Sequence, residues 1–172
     1  RLTMKDGSTV TLSGKIDRVD VLHLDGKHYL RVVDYKSSKH SFAIEDVRSG
    51  LDIQLVLYLV AALSANPAQY TPAGAQFLYA VTEKGKIDVQ RSGFFLDAEE
   101  VRKEADRTNE KQFIKKLSVQ SAEEINTLAE SMKEAVRSVA ERILRGDAEK
   151  TPSKEACMFC PVRDHCDRAY HE

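Results

Sequence analysis

The sequence predicts an α/β fold in which a mixed β-sheet is flanked by helices. Three observations predict it: a β-hairpin signal near the start, helical periodicity after it, and two further strands followed by more helical sequence. The 172 residues suffice for one domain with a hydrophobic core, and a second independent domain is not expected. The composition, 42% hydrophobic and 31% charged, is typical of a globular protein.

The charge balance and the termini narrow the class of protein further. A net charge of −1 gives no overall attraction for nucleic acid, so any such contact requires a local basic patch. No segment approaches the ~18 apolar residues of a membrane span, and the first residues have neither the apolar core nor the cleavage site of a signal peptide. We therefore expect a cytoplasmic protein without membrane contact. The chain begins with Arg1 rather than methionine, which predicts a piece of a longer protein.

Residues 8–36 are expected to form β structure around a tight turn. β-Branched and apolar residues recur on both sides of Asp25-Gly26, and this dipeptide between such runs is the strongest short-range hairpin signal. A two-residue turn pairs Leu24 with Lys27 and thereby sets the register of the whole hairpin.

Helical and extended segments follow. Apolar residues at helical spacing end at Asn66-Pro67, a turn is expected at Lys84-Gly85, and Ser121 with Glu124 has the spacing of a capping box. Gly146 stands where the last helix should stop. The predicted elements are a helix over 45–65, strands over 74–82 and 86–96, and helices over 98–116 and 123–145. No G-x-x-x-x-G-K-[ST] loop is present, so ATP hydrolysis is not expected within these residues.

The hairpin register places two acids opposite each other. Asp17 faces Asp34, and directly opposed carboxylates destabilise each other unless a positive charge lies between them. A divalent cation would fit there. Lys36 lies two residues beyond Asp34 and therefore on the same face, whereas Tyr35 points the other way. These residues alone leave two interpretations open, a metal site or solvated surface charges.

A third acid of the hairpin is excluded from this site. Asp20 is three residues from Asp17 and falls on the opposite face, where the register sets it against Arg31 as a cross-strand ion pair.

Three segments in order resemble a known family. Gly14-Lys15-Ile16-Asp17-Arg18-Val19-Asp20, Val33-Asp34-Tyr35-Lys36-Ser37-Ser38 and Gln54-Leu55-Val56-Leu57-Tyr58 resemble the RecB-like branch of the PD-(D/E)xK nuclease superfamily. Nearly the whole chain shares the resemblance, which is strongest to the C-terminal nuclease domain of the AddB (RexB) subunit of AddAB-type helicase–nucleases. It implies a restriction-endonuclease-like core, DNA as substrate, an AddA-like partner subunit and a role in double-strand-break repair.

The resemblance also implies roles for individual residues. Asp17, Asp34 and the main-chain carbonyl of Tyr35 would hold Mg²⁺ or Mn²⁺, and Lys36 would be the catalytic lysine. Gln54 and Tyr58, one helical turn apart, match the Q-x-x-x-Y motif of this branch, although such a pair on a helix also serves ordinary packing. Cleavage would leave 5′-phosphate and 3′-hydroxyl ends. The upstream histidine ligand of many RecB-like sites has no match before Asp17.

The three cysteines form a C-x₂-C-x₅-C cluster of Cys157, Cys160 and Cys166. Their number is odd and a reducing compartment is expected, which favours a metal over a disulfide, and the spacing leaves zinc and an iron–sulfur cluster open. The resemblance implies three of the four ligands of a [4Fe–4S] cluster, with the fourth cysteine far upstream. The cluster is then expected to be incomplete or absent in these residues alone.

The expected organisation is a nuclease domain over 1–150 and a cysteine segment over 151–172. Two alternatives to the helicase–nuclease subunit stay open. One is a stand-alone RecB-like exonuclease of CRISPR adaptation with an iron–sulfur cluster, and the other is a catalytically idle nuclease fold that serves as a DNA-binding scaffold.

Overall fold

The computed structural model describes residues 1–83, 85–107, 114, 117–150 and 156–166. The chain divides into two units, Arg1–Val139 and Ala140–Glu172. In chain order the strands are β1 (Leu2–Thr3), β2 (Thr9–Val10), β3 (Arg18–Leu24), β4 (Lys27–Lys36), β5 (Thr71–Glu83), β6 (Lys86–Leu96) and β7 (Ser118–Gln120), and the helices are α1 (Ile44–Arg48), α2 (Gln54–Ser64), α3 (Glu99–Ala105) and α4 (Ala122–Leu144).

The predicted mixed sheet is confirmed as a five-stranded sheet of order β3-β4-β5-β6-β7. The pairs β4–β5 and β6–β7 are parallel, and the other two pairs are antiparallel. A parallel pair requires a crossover connection, and α1 and α2 supply it between β4 and β5. α2 therefore packs on one face of β4 and β5.

The β3–β4 hairpin has the predicted turn and register. Asp25 and Gly26 have φ angles of 49° and 72°, so both central residues are left-handed, as in the type I′ turn that matches the twist of paired strands. Pairing runs from Leu24–Lys27 to Arg18–Val33 without a bulge. Continued by one residue, this register would set Asp17, which lies just before β3, opposite Asp34.

The prediction of β structure over residues 8–36 is wrong for the residues just before Asp17. β1 and β2 form a separate two-stranded sheet, and no strand is formed between β2 and Arg18. The segment leaves the sheet because the partly buried Ile16 packs against the hydrophobic core and the backbone of Gly14 passes against the ring of Tyr58 on α2. These are tertiary contacts, which the alternation of apolar residues does not report.

Two of the three predicted helices also differ from the structure. The helix expected over 45–65 is two helices, because α1 ends at Arg48 and Gly50 follows it with a φ of 78°, as suits a glycine just after a helix C-terminus. The helix expected over 98–116 is described only as α3; residues 108–113, 115 and 116 lie outside the described part of the chain. β7 was not predicted.

The last helix is confirmed together with its capping box. Glu124 Oε2 accepts a hydrogen bond from the Ser121 amide at 2.7 Å, and Ser121 Oγ accepts one from the Glu124 amide at 3.1 Å. Both donors would otherwise be unsatisfied at the helix N-terminus. Gly146 stands at the predicted stop with a φ of 69°.

The two faces of the sheet carry separate cores. The face beneath α2 packs against α1, α2 and α4 through Leu30, Val32, Val47, Leu55, Val56, Leu59, Ala75, Phe77, Tyr79, Phe94, Leu96, Ile125, Leu128, Met132 and Val136. The other face packs around Ala73, Phe95, Val101, Ile114 and Leu117. Within the described ranges, no helix has both the length and the apolarity to cross a bilayer.

The predicted Asp20–Arg31 ion pair is confirmed on the face away from α2. Arg31 Nε donates to Asp20 Oδ2 at 2.9 Å, and Arg18 donates to both carboxylate oxygens at 2.7 and 3.0 Å. Burial opposes the ionisation of Asp20, but the hydrogen bonds from Arg18 and Arg31 outweigh it and hold the pKa of Asp20 below its usual value. Asp20 therefore belongs to the framework of the hairpin.

This ion pair predicts a pH-dependent stability. Because the pKa of Asp20 is lower in the folded state, its contribution is complete above the unfolded value of about 3.9 and is lost as the pH falls through the lower, folded value. Asp20→Asn should lower the urea midpoint at neutral pH and lower it less at about pH 3. Glu123→Gln, at an exposed acid of α4, is the control. A deficit that does not shrink in acid would contradict this assignment.

Candidate active site

Asp34 is a carboxylate buried beneath α2, with only 4% of the residue exposed. Gln54 Nε2 donates a hydrogen bond to Oδ1 at 3.1 Å, and Lys36 Nζ lies 3.0 Å from Oδ2. The lysine approaches Oδ2 as an ion pair without hydrogen-bond geometry, so this oxygen keeps its lone pairs unengaged by any hydrogen bond. An oxygen of this kind, buried and charged, can bind a cation.

Gln54 joins the acid to the lysine. Lys36 Nζ donates to Gln54 Oε1 at 2.6 Å, while Gln54 Nε2 donates to Asp34 and, at 3.2 Å, to the hydroxyl of Tyr58. A carboxamide is suited to this position because it offers an acceptor to an ammonium group and donors to a carboxylate at the same time. Gln54 is the first residue of α2, so the start of the helix places this amide at the end of β4.

Tyr58 completes the helical side of the site. It lies one turn after Gln54 and on the same face, as its contact with Gln54 requires. A Cβ atom built on Gly14 would stand 3.2 Å from Cε1 of the Tyr58 ring, so the backbone of the segment before Asp17 packs directly on this tyrosine. The packing brings all three motif segments together.

Asp17 lies immediately before β3 and is linked to β4 through the backbone. Its Oδ2 accepts a hydrogen bond from the Tyr35 amide at 3.0 Å. In an antiparallel pair, every second residue of a strand turns its N–H and C=O groups toward the partner strand. Counted from the hydrogen-bonded pair Leu24–Lys27, Tyr35 is one of the residues of β4 that face β3. The Tyr35 carbonyl therefore faces the side on which Asp17 lies.

The side chain of Tyr35 points to the opposite face, as predicted. Its hydroxyl lies 3.4 Å from Arg18 Nη1, and the residue is about half exposed. Only the main chain of Tyr35 can contribute to the site.

The candidate metal ligands are two carboxylates and one main-chain carbonyl. The predicted positions of Asp34 and Lys36 on one face and of Gln54 next to Tyr58 are confirmed, and Asp17 joins them through the amide of Tyr35. In the part of the chain that the structure describes, no three histidine, cysteine or acidic side chains are arranged to hold one ion. The metal and catalytic roles of these residues stay predictions.

The structure adds two residues that the sequence motifs missed. His40 Nε2 lies 3.2 Å from Asp52 Oδ2, and the His40 ring packs edge-on against Phe77 with 4.2 Å between centroids. Lys36 Nζ lies 4.9 Å from the centroid of the same ring. No local pattern connects these residues, because twelve positions separate His40 from Asp52 and the connection between them includes α1.

The cysteine segment is described over residues 156–166. Cys157 is exposed in a short 3₁₀ helix, Cys160 and Cys166 are partly buried, and no disulfide joins them. Residues 151–155 and 167–172 lie outside the described part of the chain, and the iron–sulfur assignment stays a prediction.

The sequence of this chain is similar to those of known nucleases. A sequence profile of the PD-(D/E)XK nuclease superfamily matches residues 2–167. Curated relatives named as the B-type subunit of an ATP-dependent helicase/deoxyribonuclease include one from Alkaliphilus oremlandii, 26% identical over 99% of this chain, and one from Clostridium novyi, 30% identical over 96%. This chain spans 18% of the length of each. A relative of the same name from Desulforudis audaxviator is 49% identical over 40% of the chain and 6% of its own length.

The geometry of Gln54 predicts a stability effect. Gln54→Ala removes the only hydrogen bond to Asp34 Oδ1 among the described contacts and the acceptor of Lys36. Leaving a buried polar group unsatisfied costs about 1–3 kcal/mol, and each kcal/mol lowers Tm by about 2–4 °C in a chain of this size. Gln69→Ala, at an exposed position after α2, should change Tm far less. Equal Tm values for the two variants would show that the Asp34 network does not stabilise the fold.

Proposed function

Because the chain belongs to the PD-(D/E)XK nuclease superfamily, we propose that it is the nuclease domain of a helicase–nuclease subunit and hydrolyses DNA phosphodiesters with a divalent metal. One observation carries the proposal: buried Asp34 contacts Lys36 and Gln54, and the Asp17 carboxylate lies beside the same end of β4, where it accepts from the Tyr35 amide. The relatives named as helicase/deoxyribonuclease subunits support the helicase–nuclease context. The expected partners are DNA and an AddA-like subunit.

The donor set fits Mg²⁺ or Mn²⁺. Asp17, Asp34 and the main-chain carbonyl of Tyr35 offer only oxygen ligands, which these hard cations prefer. The Asp34 oxygen that lacks a hydrogen bond is a position where a cation would meet no competing donor except Lys36. When bound, the metal would supply Lewis acidity toward the phosphate and lower the pKa of a water molecule.

Lys36 would stabilise charge in the reaction, and Gln54 would hold Lys36 in position. The Lys36 ammonium is held between Asp34 and Gln54, so it is oriented before substrate arrives and can offset negative charge that develops on the phosphoryl oxygens. Gln54 fixes this position through its contact with Tyr58. Hydrolysis forms a bond from a water oxygen to phosphorus and breaks the bond to the 3′-oxygen, which leaves a 5′-phosphate and a 3′-hydroxyl.

The decisive experiment exchanges one acid on each face of the same hairpin. Asp34→Asn in the full-length gene product should lower Mg²⁺-dependent cleavage of labelled single-stranded DNA by about a hundredfold or more, because a metal ligand worth several kcal/mol is lost. Asp20→Asn makes the same chemical change in the Arg18–Arg31 network and should leave cleavage intact at temperatures well below unfolding. Equal activity of the two variants would favour a catalytically idle, DNA-binding fold.

For the cysteine segment we propose three thiolate ligands of a [4Fe–4S] cluster: Cys157, Cys160 and Cys166. The sequence has only three cysteines, so a cubane cluster would take its fourth thiolate from outside these 172 residues. The full-length gene product, purified without oxygen, should be brown, bind about four irons per chain and lose both properties, with a lower Tm, in Cys160→Ser. One bound zinc per chain instead would show the site to be a zinc site.

A further inference from the structure

His40 is fixed in place beside the candidate catalytic lysine. The hydroxyl of Ser92 on β6 donates a hydrogen bond to the His40 carbonyl, so the loop after β4 is tied down across the sheet. The imidazole rests on Phe77, whose ring also contacts Lys36 Nζ. The two basic side chains therefore stand over the same patch of the sheet, on the face that carries Asp34.

Asp52 orients the imidazole. Its Oδ2 lies 3.2 Å from Nε2, so Nε2 is assigned as the nitrogen that donates to the carboxylate. The other ring nitrogen, Nδ1, then remains for a further contact. The His40 side chain is 40% exposed, so a ligand can reach it. A doubly protonated imidazole can donate through both nitrogens, one to Asp52 and one to an anion.

The surroundings favour a phosphate over a metal as that further partner. In the described ranges His40 is not part of any group of three potential metal ligands. The segment from Lys36 to His40 reads Lys-Ser-Ser-Lys-His and contains no acid, and residues 37–39 are exposed. Lysine and serine side chains are among the groups that most often contact the sugar–phosphate backbone of DNA. Since the chain has a net charge of −1, a local basic segment is what DNA binding requires.

We propose that His40, oriented by Asp52, binds a phosphate of the DNA strand next to the one that is cut, and thereby aligns the strand along residues 36–40. The proposal rests on the proposed nuclease function and deepens it. His40 is a substrate-binding residue in this scheme, and Asp52 is a positioning residue that acts through it.

Phosphate-by-phosphate substitution tests the contact directly. Short single-stranded DNA substrates are prepared with one phosphate at a time replaced by an uncharged methylphosphonate, and kcat/KM is measured for the full-length gene product. For the wild-type protein, replacement of one phosphate adjacent to the cut should lower kcat/KM about tenfold, as the loss of one hydrogen bond to a charged group implies. His40→Ala should lower kcat/KM about tenfold on unmodified DNA and should be insensitive to replacement at that one position.

Three further variants separate this contact from a structural role. His40→Gln keeps a side-chain donor, so its kcat/KM should lie between those of His40→Ala and the wild type. Asp52→Asn should also lower kcat/KM, but by less than His40→Ala. His23→Ala, at an exposed histidine of the β3–β4 hairpin, should change neither the rate nor the pattern. If His40→Ala slows cleavage but stays sensitive to the same methylphosphonate, His40 only supports the loop and the inference is wrong.

The proposed function and the inference fail in different ways. An Asp34→Asn variant that cuts DNA as fast as the wild type would overturn the proposed nuclease site, whatever the result for His40→Ala. An inactive Asp34→Asn variant together with a His40→Ala variant indistinguishable from His23→Ala would overturn the inference alone.

Discussion

The burial of the Asp34 charge is the constraint on which the site depends. A carboxylate with 4% exposure is costly unless it is paired and hydrogen-bonded, and Lys36 and Gln54 provide the pairing and one hydrogen bond. Gln54 can reach Asp34 only if α2 begins above the end of β4, so the break between α1 and α2 has a chemical consequence as well as a structural one. Oδ2 of Asp34 has no hydrogen-bond partner among the described residues, and we propose that a cation binds there.

The two faces of the β3–β4 hairpin place two acids in different surroundings. Asp20 and Asp34 belong to the same hairpin, yet one is neutralised by two arginines on the face away from α2 and the other is held by a lysine and an amide beneath the helix. Side chains alternate between faces, so a slip of one residue in pairing would exchange these environments. The Asp25-Gly26 turn prevents the slip, and the turn is thus a condition for the site.

The parts of the fold that sequence patterns missed share a physical reason. Residues 11–17 alternate like a strand, but Ile16 packs against the core and Gly14 packs against Tyr58 instead of pairing with another strand. The helix expected over 45–65 is divided at Gly50, whose φ is 78°, and Val47 of α1 and Leu55 of α2 are buried in the same core. β7 has three residues, too few to show a period. Propensity reports the local preference of a segment, and tertiary contacts can override it.

Local chemistry by itself determined the hairpin turn, its register, the common face of Asp34 and Lys36, and the Ser121–Glu124 cap. Each of these depends on neighbours within one element or one turn. The order of the five strands, the contact of Gln54 with both Asp34 and Lys36, and the meeting of His40 with Asp52 over Phe77 were decided only by the tertiary structure. These contacts join residues from different elements, and their formation depends on how α2 and the loop after β4 pack on the sheet, which no spacing along the chain encodes.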